Sequence, residues 1–300
     1  MIEREFSAGG LWWRVYGPGE RTTDPLSPPP LVIFHGLFGS GDNWRSQATA
    51  LAGDRAVLAC DMPDHGRSDH WNTFEYRAVA GLLRDALAAA LDEIGLPPET
   101  SVVLLGHSMG GKAAMAMALG APGRCERLVV ADIAPRCYPP RHEEIFAAMD
   151  AVASAGVRSR GEADRIMAEY VPQKPIRMFL LKSLVPTGDR GAAADARPAA
   201  ADARPAATPA GRYGWRLNLA GLRAGYEDIR CWPDLGTEDS YGGPTLFVVG
   251  GASPYVSDDD YPAINQLFPR ARIHRIDRAG HWLHAEAKDE FVSVVRSFIS

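Results

Sequence analysis

Residues 101–119 read SVVLLGHSMGGKAAMAMAL, a β-rich apolar run that flows through a glycine-flanked serine straight into a helix-forming stretch. Few folds accept that succession. A serine in so tight a turn is forced to a positive φ, and glycines at 106 and 110 leave space where neighbouring chain passes. Strain of about 1 to 3 kcal/mol is tolerated where it lifts a hydroxyl clear of a sheet. Ser108 is therefore the candidate nucleophile, and the Met109 amide, at the first turn of the helix with its dipole behind it, is a candidate oxyanion donor.

The surrounding pattern fits the same reading. LVIFH (31–35), AVLAC (56–60), SVVLL (101–105), RLVVAD (127–132), PTLFVV (244–249) and ARIHRID (271–277) read as strands. Helical stretches separate the early ones, as in YRAVAGLLRDALAAALDEIG (76–95), whose Leu83, Leu87, Leu91 and Ile94 recur at the helical period. With the opening pair IEREF and LWWRVYG as a hairpin, the pattern predicts an α/β fold: a mostly parallel eight-stranded sheet flanked by helices. Alternation stops between about 133 and 233, where helical pieces such as HEEIFAAMDAVASAG, GEADRIMAEYV and IRMFLLKSLV follow one another, then a short WRLNL. Residues 133–233 are expected to form a helical cap inserted into a core of 1–132 and 234–300. Within the cap, ADARPAA occurs twice in tandem and marks a flexible Ala/Pro-rich insert at about 188–211.

A net charge of -5 offers no basic field to a polyanion, so nucleic acid is not an expected partner. No apolar run is long enough to span a bilayer, and the charged start MIEREF lacks the apolar core of a signal peptide. A cytoplasmic protein, monomeric or homodimeric, is expected. The four cysteines are far apart without a C-x-x-C pair, and are read as reduced thiols.

Among eight histidines, His281 follows the last strand, where a Ser, acid, His order places the base. The usual acid position after PTLFVV holds Ser253, which cannot stabilise an imidazolium as a carboxylate does. Asp132 ends the strand beside the elbow strand, 24 residues after Ser108, at the carboxyl edge where such sheets gather their functional groups. Ser108, His281 and Asp132 are the expected triad, with Ser253 as the alternative third member. The loop HGLFG offers a second oxyanion donor at Leu37, with Phe38 as the fallback. His281, His284 and Glu286 lack a further clear ligand, so no metal is expected. Apolar cap residues, Phe146, Met149, Met178, Phe179, Leu180 and Leu184, supply candidate pocket walls.

Taken together, HGLFGSGDNW, DMPDHGRS, GHSMGGKAAMAM, ADIAP with RHEEIFAAMDAV, GGASPYVS and AGHWLHAE resemble the YbfF-type esterases, a cap-bearing branch of the α/β-hydrolase superfamily. The resemblance covers about 31–186 and 212–299, and the tandem insert departs from it. It implies a serine hydrolase of acyl esters or acyl-CoA thioesters that needs no cofactor, with Asp132 as the aspartate of the DIAP motif. Phe38, Phe146, Met149, Phe179, Tyr255 and Trp282 are the substrate-contact candidates. An acyltransferase with the same triad, or a non-catalytic binding protein on the same fold, are the rival functions.

Overall fold

The computed structural model describes residues 2–17, 28–71, 74–187, 211–233 and 240–300. Among the described residues ten strands are formed: β1 (Ile2–Ala8), β2 (Leu11–Gly17), β3 (Leu31–Phe34), β4 (Val57–Cys60), β5 (Val102–His107), β6 (Cys125–Ala131), β7 (Leu184–Pro186), β8 (Tyr213–Trp215), β9 (Thr245–Gly250) and β10 (Ala271–Ile276). Eight make one sheet in the order β1-β2-β4-β3-β5-β6-β9-β10. The β1–β2 hairpin joins it antiparallel through β4, and every other neighbour is parallel.

The core strands are continuous apolar runs because both of their faces are covered. Along β3, Leu31 and Ile33 face one layer while Val32 and Phe34 face the other, and β5 divides Val103 and Leu105 from Val102 and Leu104 in the same way. The first layer packs on α1 (Arg45–Leu51) and the C-terminal helix α11 (Lys288–Ile299) through Ala48, Leu51, Phe291 and Val295. The second packs on α2 (Tyr76–Glu93) and α3 (Met109–Gly120) through Val79, Leu83, Ala113 and Met117. Two shorter helices, α9 (Tyr261–Leu267) and α10 (Leu283–Glu286), flank β10 in sequence.

Between β6 and β9 the chain forms α4 (Glu143–Ala155), α5 (Arg160–Met167), α6 (Lys174–Leu180), α7 (Leu219–Ala224) and α8 (Tyr226–Arg230). IRMFLLKSLV is not helical throughout. Its α-helix ends at Leu180, a 3-10 turn covers Leu181–Ser183, and Leu184 pairs with Trp215 in the antiparallel β7–β8 ribbon, a contact that local periodicity cannot reveal. The ADARPAA tandem lies outside the described residues, so the expected flexible insert is not among them.

The expectation of four reduced thiols holds for Cys60 and Cys125, which are free and buried, and fails for the other two. Cys137 and Cys231 form a disulfide across 94 residues of sequence. The two ends of the inserted segment run side by side at this point. The Tyr138 amide donates to the Arg230 carbonyl at 3.0 Å, the Arg230 guanidinium returns a bond to the Tyr138 carbonyl at 2.6 Å, and Lys112 Nζ reaches the Arg230 carbonyl at 2.6 Å. Linear spacing hides that adjacency, and the bridge removes the cysteine argument for a reducing compartment. Among the described residues, no helix is long and apolar enough to cross a membrane.

Candidate active site

Strand β5 delivers Ser108 to the sheet's carboxyl edge at φ 54° and ψ −120°, with α3 starting at the next residue. The flanking glycines are required by contact as well as conformation. A Cβ on Gly106 would lie 2.1 Å from the Gly110 carbonyl oxygen, and one on Gly110 would lie 2.3 Å from that of Phe34. Neither backbone can give way, so substitution there would break the turn that presents the serine.

The loop after β3 holds the second donor candidate. Phe38, at φ 63°, donates its amide to His65 Nε2 at 3.1 Å, which takes it out of contention as the oxyanion donor. Burial pushes His65 down to about 3 and His35 to about 4, so both rings stay neutral and can accept. His35 Nε2 accepts the Met62 amide at 2.8 Å. These two buried imidazoles pin the loop, and Leu37 lines the cavity beside Ser108 and Met109.

Asp132 also has a positive φ, 52°, at the end of β6. Its buried carboxylate has three partners: Oδ1 accepts the Gly250 amide at 2.8 Å, and Oδ2 accepts both the Ser253 hydroxyl and His281 Nδ1–H, the latter at 2.8 Å. The structure thus brings together Asp132, His281 and Ser253, and puts the carboxylate, not the serine, against the imidazole. With Nδ1 donating, the tautomer leaves Nε2 of His281 free to accept a proton. Three further contacts hold His281 and its loop. Tyr255 stacks on the ring at 3.7 Å and 13°, His107 Nε2–H donates to the His281 carbonyl at 2.8 Å, and Glu286 accepts the Gly280 amide at 2.6 Å. Glu286 is therefore a loop anchor. Among the described residues, no group of three or more His, Cys, Asp or Glu side chains comes together to hold a metal ion.

Two cavities meet at Ser108. The larger, of about 300 Å³, is walled by Phe38, Phe179, Tyr255, Trp282 and His281, together with Trp44 and His284. Phe146 and Met149, expected as substrate contacts, lie in the layer behind. Phe146 packs its ring edge-on against Phe38 at 5.2 Å, and Met149 is fully buried with its carbonyl accepting from Trp215 Nε1. The smaller cavity, about 40 Å³, runs toward Tyr138, Arg230 and the buried Lys112. Burial, aided by the charges of Arg136 and Arg230, pushes Lys112 down to about 7. Leu37, Ser108, Arg141, His142 and Tyr255 border both spaces. Sequence reasoning missed Arg141, Trp44 and Lys112 as wall residues and took His142 only as a helix start. The sole sequence signal for His142 was an aromatic at the head of the segment's first helix.

An elbow serine, a histidine after the last strand and a carboxylate at an adjacent strand edge define a hydrolase of the α/β type. The alpha/beta hydrolase family model matches residues 31–294, and the chain belongs to that family. It is 38% identical over 280 residues to the sn-1-specific diacylglycerol lipase ABHD11 of Mus musculus, covering 91% of this chain and 81% of that protein. It is 36% identical over 273 residues to esterase YbfF of Escherichia coli, covering 90% and 93%. A solved marine microorganism esterase superposes with a TM-score of 0.80 at 32% identity, covering 96% of this chain and 98% of that one.

Proposed function

We propose that Ser108, His281 and Asp132 are the catalytic triad of a serine hydrolase that cleaves carboxylic esters through an acyl-enzyme. The observation that carries this assignment is the 2.8 Å bond from His281 Nδ1 to Asp132 Oδ2, made beside a serine held at φ 54°. His281 Nε2 takes the Ser108 proton as Oγ attacks the acyl carbon. The amides of Leu37 and Met109 bind the oxyanion as it forms. Asp132 stabilises the imidazolium, Ser253 holds the carboxylate oxygen that faces the ring, and His281 returns its proton to the leaving group. Water, activated by the same imidazole, then releases the acid.

The substrate is a small-molecule acyl ester, with acyl thioesters open to the same chemistry. Its acyl chain occupies the larger cavity, whose aromatic and aliphatic walls favour straight chains over bulky or charged acids. Residues 133–233 act as a cap over a core formed by 1–132 and 234–300.

Kinetics of Asp132→Asn beside Ser253→Ala test the triad. The asparagine variant is expected to lose about 10⁴ in kcat, whereas the alanine variant keeps the carboxylate and loses about tenfold or less, roughly the worth of one hydrogen bond. A crippled Ser253→Ala enzyme with a near-normal Asp132→Asn enzyme would overturn the assignment. Adding an alcohol acceptor and measuring transesterified product separates hydrolysis from acyl transfer.

A further inference from the structure

His142 borders the same two cavities as Ser108, and the mechanism above does not use it. It immediately precedes α4, and its ring meets Phe38 edge-on at 5.8 Å and Tyr226 edge-on at 5.6 Å. Its Nδ1 lies 2.7 Å from the Tyr226 hydroxyl oxygen, which also accepts the Arg141 amide at 3.1 Å. With an acceptor site of that oxygen engaged by the amide, the phenol proton points to Nδ1. The ring is then the tautomer that carries its own proton on Nε2. Burial pushes the imidazole down to about 4, so this neutral form persists across the neutral range.

Nε2 makes no hydrogen bond among the described residues, yet it is not one of the polar atoms sealed in the interior without a partner. The residue borders both cavities, together with Ser108. Beside the exposed, longer-stemmed Arg141, the chain therefore holds at the junction of the two cavities a ring N–H fixed in place with no protein acceptor among the described residues. Leu37, Ser108 and Tyr255 border the same cavities, and no hydrogen bond joins Nε2 to any of them. When substrate displaces water from this junction, an unmet N–H is penalised and a met one is not.

We propose that His142 is a specificity-determining residue whose Nε2–H donates a hydrogen bond to a second, non-reacting oxygen of the substrate. The site accordingly selects esters that carry an ether or ketone oxygen a few bonds from the scissile carbonyl over their all-methylene counterparts. His142 is not a second base, because its Nδ1 is occupied and its Nε2 already holds the proton. The inference rests on the proposed triad and adds a polar requirement to the apolar chain preference.

The test measures kcat/KM for two matched pairs: p-nitrophenyl hexanoate against its 4-oxa analogue, and butyl hexanoate against 2-methoxyethyl hexanoate. Each ratio is normalised to that of hydroxide-catalysed hydrolysis. In the wild type at least one pair is expected to favour the oxygen-bearing ester by about tenfold. His142→Phe should reduce that preference to about twofold or less, and His142→Gln, which places an amide N–H near the lost donor, should restore most of it. General structural damage would slow both members of a pair alike and leave the ratio standing. Normalised ratios near one for both wild-type pairs overturn the proposal, as does a His142→Phe enzyme that keeps the preference. Should His142→Phe not fold, the wild-type ratio decides. Activity undiminished in Ser108→Ala would instead sink the triad, and the role of His142 with it.

Discussion

The sheet's carboxyl edge and the segment between β6 and β9 treat their polar groups in opposite ways. At the edge, both carboxylate oxygens of Asp132 are engaged, and His281 is fixed by a stacked ring, a carbonyl contact and an anchored loop. Above it, His142 offers a donor with no partner at Nε2, and the exposed Arg141 lies 5.9 Å over the Tyr255 ring. One region has spent its bonding capacity on geometry; the other keeps some in reserve. On the proposed roles, reaction and selection reside in different places: preorganisation belongs to strand ends, and recognition to side chains whose partners arrive with the substrate.

Removal of the proposed nucleophile tests this contrast most directly. Ser108→Ala should lower kcat by at least about 10⁴ without changing thermal stability appreciably, since it deletes one hydroxyl from a strained turn. Single-turnover kinetics and a melting curve on the same preparation check both halves. A comparable loss of kcat from a substitution in the α4–α6 wall would show that the segment does chemistry.

A smaller effect should come from the stem that joins the two regions. Cys231→Ser opens a loop of 94 residues and is expected to cost about 2 to 4 kcal/mol of unfolding free energy. Urea denaturation under non-reducing conditions measures it. The catalytic constants of the folded variant should remain within about threefold of wild type, since kcat follows transition-state contacts that this bridge does not make.

The smallest effect is a slope. Burial holds Lys112 at about 7, against 10.5 for a free lysine, so between those values the unfolded chain carries a proton that the folded chain lacks. Stability therefore rises with pH across that window. Relative to Lys112→Met, which does not titrate, the wild type should gain up to about 1.4 kcal/mol per pH unit above pH 7. Parallel denaturation curves from pH 7 to 9.5 test this, and equal slopes would show that Lys112 stays charged beneath the stem.

The largely parallel sheet, the elbow and a carboxylate at the strand end beside it were legible because each follows from a local pattern or from position at a strand end; the order of the strands was not. Asp132 closes an apolar run next to the elbow strand, and no long-range knowledge was needed to place it there. Long-range pairs were not legible. Cys137 with Cys231, and Leu184 with Trp215, depend on how the inserted segment folds back, which neither spacing nor periodicity encodes. The cavity walls failed for a related reason. Phe146 and Met149 have the apolar character of wall residues, yet helix periodicity identifies only the buried face, and the ring of Phe38 stands in front of Phe146.

Asp132, the proposed acid, sits before the segment between β6 and β9, so it and Ser108 ride on adjacent strands whose register pairs His107 with Ala131. Everything from residue 133 to 233 is thus topologically downstream of both. On the proposed division into core and cap, a segment exchanged between those two positions would leave the Asp132–His281 pair in place, so selectivity could be altered without rebuilding the proposed triad.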